Sequence, residues 1–80
     1  MNKDLAQMVV TTALRTRIEL GDLAPLIAQH GEAAADEAIK LALGSAIYEI
    51  GLLMDRVFEQ HPVLEAEIEA RRQKYGRPYY

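Results

Sequence analysis

Between Ile39 and Phe58 the apolar residues return every third or fourth position: Ile39, Ala42, Leu43, Ala46, Ile47, Ile50, Leu53, Met54, Val57 and Phe58. At 100° per residue they share one arc roughly 160° wide, broader than the roughly 100° stripe of an ordinary surface helix. The period calls for a helix, and the width calls for neighbours on more than one side. The helix is expected over about 32–60. Ala33, Ala34 and Ala35 are strong helix formers, and acids near its start suit the positive end of the helix dipole. His61-Pro62 stops it, because a residue before proline avoids the helical region. Such a helix spans roughly 40 Å. It is the expected centre of the fold.

The flanking segments are also helical in pattern. Asn2 offers an N-cap, and Leu5, Met8, Val9, Thr12, Ala13 and Leu20 follow at helical spacing, which gives a helix over about 3–20. The β-branched run Val9 to Thr12 suits a strand, but its helix-forming flanks and the lack of a turn signal outweigh it. Gly21 is the expected stop. A short helix over 22–30 follows, with Asp22 as cap, Pro25 in its first turn and Leu23, Leu26 and Ile27 buried. The last helix is expected over about 63–75, with a Glu67–Arg71 pair along it, and Gly76 and Pro78 end it. The fold class is therefore all-α: a small helical bundle in one domain, 1–80, with 76–80 a short basic and aromatic tail.

Composition narrows the function classes. Eighty residues with 50% hydrophobic and 26% charged content suit one small globular unit. The chain has no cysteine, which excludes disulfides, thiolate metal sites and a thiol nucleophile. The longest run without a charge, Leu5 to Leu14, is too short to cross a bilayer and makes a poor signal peptide after Asp4. A cytoplasmic protein is the expectation.

A second, narrower stripe lies outside the wide arc: Leu41, Gly44, Ser45, Tyr48, Gly51 and Leu52. Each glycine inside a helix costs about 1 kcal/mol relative to alanine. That cost is understandable where another backbone comes close. The neighbour is either the first helix of the same chain or a second copy. So short a chain, without disulfides, is commonly stabilised by oligomerisation, so this stripe is the expected homodimer interface.

Residues suited to catalysis are scarce. His30 and His61 flank the long helix, too far apart to share a metal within one chain, and no His-x-x-x-His pair occurs. Glu65, Glu67 and Glu69 cluster on a short terminal helix, with Arg71 and Arg72 following, and read as a solvated face. Asp36 and Lys40 read as a surface pair. Ser45 is the only serine and has no base nearby. A helix-turn-helix is disfavoured, because Glu32, Asp36 and Glu37 would open the recognition helix and meet phosphate. No catalytic, cofactor or metal residue is assigned, and no enzyme activity is expected.

Charge is uneven. Residues 71–80 hold four bases and no acid, whereas residues 1–70 hold five bases and twelve acids, a net −7 within an overall −3. Arg71, Arg72, Lys74, Tyr75, Arg77, Tyr79 and Tyr80 combine cations with aromatic rings. Such residues serve as protein-binding hot spots, stack nucleic-acid bases, or simply satisfy a helix end and pack on an acidic body. The expected function is non-enzymatic protein–protein interaction by a homo-oligomer, as a small regulator, inhibitor or assembly factor. The alternative is a nucleic-acid-associated protein that uses the Arg/Tyr tail.

Overall fold

A computed structural model describes residues 1–32 and 34–76. It contains three α-helices: α1 (Lys3–His30), α2 (Glu37–Gln60) and α3 (Pro62–Tyr75). Among the described residues there is no strand. The all-α class expected from the periodicity is therefore found.

α1 begins as its sequence dictates. The Asn2 side chain accepts a hydrogen bond from the Leu5 amide at 2.8 Å, and Asp4 lies in the first turn. The helix then runs through both expected breaks. Gly21 does not end it, and no separate helix occupies 22–30; Pro25 lies inside α1. A glycine only weakens a helix interior, whereas proline removes one hydrogen bond, here the one to the Gly21 carbonyl. Neither change supplies a competing partner for the backbone, so the helix continues to Gly31, whose amide donates to the Ile27 carbonyl at 2.8 Å.

The real break follows Gly31. Helix was expected from about residue 32, yet α2 starts at Glu37. One Asp36 carboxylate oxygen accepts the Glu32 amide at 2.6 Å, and the Asp36 amide donates to the Glu32 carbonyl at 2.8 Å. An aspartate that bonds nearby backbone competes with the helical ladder, and here it overrides the alanine propensity. Asp36 is thereby unavailable to Lys40, which instead lies 3.9 Å from Glu37. The expected long central helix is consequently shorter, at 24 residues, than α1, at 28.

α1 and α2 form an antiparallel hairpin closed by this turn. At the open end His61 breaks the chain direction and Pro62 starts α3, where its missing N–H is harmless. Gly76 ends α3 with φ 73°, the left-handed conformation that glycine adopts without strain, and its amide donates to the Arg72 carbonyl at 2.8 Å. Arg77, Pro78, Tyr79 and Tyr80, named above for the tail, lie outside the described residues.

The core sits at one end. Ala6, Val10, Ala13 and Leu14 of α1, Met54 and Val57 of α2, and Leu64 of α3 are buried. Val9, Ile18, Ile50, Phe58 and Ile68 pack against them while keeping some exposure. α3 is pinned there by Leu64, by a Lys3–Glu67 ion pair at 3.2 Å, and by the neighbouring contacts of His61 Nε2 with the Met1 carbonyl at 3.0 Å and of the Met1 ammonium with Gln60 at 3.4 Å. Glu67 thus pairs with Lys3 of α1 and not, as its own helix suggested, with Arg71.

Beyond this end the hairpin is only two helices side by side. Among the described residues from 15 to 53, none is buried. The wide arc of α2 is accordingly covered only in part: Met54 and Val57 are enclosed, while Ile39 and Leu53 remain about half exposed.

Candidate interaction surface

Uncharged residues, exposed or half-buried, line one face of the hairpin. On α1 they are Leu5, Met8, Val9, Thr12, Thr16, Leu20, Leu23 and Ile27; on α2 they are Ile39, Ala42, Ala46, Ile50 and Leu53. Apart from the adjacent Met8 and Val9, each set advances by three or four residues, so each forms a nearly straight stripe beside the buried one. No residue in either set carries a charge.

Two depressions mark this face. The larger, about 490 Å³, is lined by Leu5, Met8, Val9, Thr12, Ala13 and Thr16 of α1 with Ile50 and Leu53 of α2. Its floor is low because alanine and threonine are small; the Thr16 hydroxyl turns inward to donate to the Thr12 carbonyl at 2.8 Å. The second, about 410 Å³, lies at the turn end between Leu23, Leu26, Ile27, Gly31, Asp36 and Ile39. Monomeric proteins rarely leave so continuous an apolar face in water.

The stripe Leu41, Gly44, Ser45, Tyr48, Gly51 and Leu52 maps elsewhere on α2. Leu41 and Tyr48 are 65% and 66% exposed, and Ser45 is exposed too. A Cβ on Gly44 would meet nothing within 4 Å, whereas one on Gly51 would lie 3.5 Å from Arg17 Nη1. Gly51 and Leu52 are half-buried within the chain. This surface is thus mixed: exposed at its Leu41 end, and crossed by a guanidinium at the other.

The tail residues are dispersed. Arg71 is half-buried. Arg72 forms a two-pronged hydrogen-bonded ion pair with Glu69, and Lys74 Nζ lies 5.2 Å from the centre of the Tyr75 ring. The Arg72 guanidinium is the main reason that the Glu69 carboxyl is held below its ordinary value, and the pair raises Arg72 in return. Arg77, Tyr79 and Tyr80 lie outside the described residues.

His30 is exposed in the last turn of α1 and His61 sits at the other end of the hairpin. Among the described residues no group of three or more His, Asp or Glu side chains could hold a metal ion, and no polar or charged residue is buried. No helix among them is long and apolar enough to cross a membrane.

The chain matches no protein-family model, no curated protein and no solved structure.

The α1 half of the apolar face was missed in the sequence because a helix boundary placed at Gly21 cut its stripe in two. Continued across Gly21, the positions 5, 9, 12, 16, 20, 23 and 27 reveal it.

Proposed function

We propose that this chain is a non-enzymatic protein–protein interaction module that acts as a homo-oligomer, a small regulator, inhibitor or assembly factor in the cytoplasm. The observation that carries this reading is the apolar face along α1 and α2, with its two depressions, the second edged by Asp36. A face of this kind gains free energy by excluding water against another apolar surface, at about 25 cal/mol per Å². The reading calls on no cofactor and no catalytic group. The basic end of α3, Arg71, Arg72, Lys74 and Tyr75, together with Arg77, Tyr79 and Tyr80, then serves as a second contact for a protein partner.

One observation favours a different reading. Lys74 and Tyr75 stand together at the end of α3, where a cation beside a ring suits a nucleic-acid strand. Against it, Arg72 is already paired with Glu69, and Glu65 and Glu67 share the helix.

Affinity capture with the tagged chain in its native host separates the two. The interaction reading expects a protein retained at physiological salt and lost when residues 76–80 are removed. Retention of nucleic acid alone, with binding of a generic oligonucleotide that falls steeply with salt, would replace it by the second reading.

A further inference from the structure

Two helices side by side make a single layer, and the molecule is only 14 Å thick in its Cα extent by 44 Å long. A hydrophobic core needs at least two layers. α3 supplies a second layer only at the open end, where every fully buried residue lies. The distal hairpin has none, although Leu23, Leu26 and Ile39 point out of it roughly half exposed.

The chain as a whole is more open than a compact monomer. A compact monomer of 9.0 kDa exposes about 4,850 Å², whereas this chain exposes 5705 Å².

The face is also complementary to itself. The antiparallel register sets Thr12 and Thr16 of α1 beside Ile50 and Leu53 of α2, as the larger depression records. Further along, the same register sets Leu20 and Leu23 beside Ala46 and Ala42. Over this stretch small residues on one helix therefore stand level with large residues on the other. A two-fold axis parallel to the hairpin lays α1 over the α2 of a second copy at the same level. Each large pair then enters the space above a small pair.

From these observations we infer that the occupant of this face is a second copy of the chain, and that the two hairpins close into a four-helix bundle with both α3 helices outside. This deepens the interaction reading and rests on it, moving the dimer contact from the glycine stripe of α2 to the face shared by α1 and α2.

The test uses the full chain and light scattering coupled to size exclusion at high micromolar concentration. The unmodified chain is expected at about 18 kDa, twice 9.0 kDa. Ala42→Glu and Leu23→Lys alter exposed positions, so each should keep its helical circular dichroism. Each should weaken the dimer by about 100-fold or more, since it buries an unpaired charge. Mixed together, the two variants should recover a dimer, because the axis sets Leu23 against Ala42 of the second copy. Leu41→Glu and Ser45→Glu should remain dimeric. Dimers that survive both face variants but not Leu41→Glu would overturn the assigned face while sparing the homo-oligomer reading. An unmodified monomer would overturn both. Failure of the mixture to recover a dimer would overturn the two-fold arrangement.

Discussion

Gly51 of α2 lies under the Arg17 side chain of α1, close enough that a Cβ there would be 3.5 Å from Nη1. The neighbour that this glycine admits is thus the flexible end of a side chain and not a second backbone. Gly44, seven residues earlier, has nothing from the rest of the chain within 4 Å of such a Cβ. Neither glycine is held by packing inside the chain. Its helical penalty remains, about 1 kcal/mol relative to alanine.

Gly44→Ala is therefore expected to raise stability by up to about 1 kcal/mol, and Gly51→Ala by less, since the Arg17 side chain must adjust. Gly31→Ala should do the opposite. A Cβ there would stand 2.6 Å from the Ile27 carbonyl and 2.5 Å from Asp36 Oδ2, and a backbone carbonyl cannot move aside cheaply. Its expected cost is about 1–3 kcal/mol, a shift of several degrees in Tm. Urea denaturation of the three variants checks the order, and a stabilised Gly31→Ala would contradict this account of the turn.

Pro25 lies inside α1 and leaves the Gly21 carbonyl without its i+4 donor. Replacing it by alanine restores that bond and relieves ring crowding, while freeing the unfolded chain somewhat. The net expectation for Pro25→Ala is a gain of about 1–2 kcal/mol. Amide exchange should slow between residues 21 and 30. Unchanged exchange there would mean that this part of α1 already tolerates the proline without loss.

These two breaks show where the sequence was legible and where it was not. Asn2, Pro62 and Gly76 each act on the backbone through one local group, and each marks its helix end as expected. Gly21 and Pro25 also looked like ends, but they weaken a helix without offering the chain another place to go. Asp36 does offer one, through a hydrogen bond to the Glu32 amide, and it set the turn that the alanine-rich composition concealed. The α2 stripe was visible because nothing interrupts it. Its counterpart on α1 crosses Gly21 and became apparent only when the helix proved continuous.

Glu69 gives the pH dependence its sign. Its folded pKa is lowered chiefly by the hydrogen bond from Arg72; desolvation opposes this, and the Arg72 charge and the Gln73 hydrogen bond add to the lowering. A lowered pKa means a contribution present above the ordinary value of 4.5 and lost as pH falls through the lower folded value. Both side chains are exposed, so the effect is small and screened by salt. A carboxyl titration by carbon-13 NMR should place the Glu69 midpoint below 4.5, and Arg72→Gln should return it toward that value. Coincident midpoints in the two proteins would show that the pair does not persist in solution.

The central claim is that one copy leaves the apolar face of α1 and α2 unfinished and that a second copy completes it. Sedimentation equilibrium of the unmodified chain, across low to high micromolar concentration, addresses this directly. The account predicts a species of about 18 kDa that Ala42→Glu reduces to the 9.0 kDa protomer with its helices intact. A single 9.0 kDa species for the unmodified chain over the whole range would contradict it.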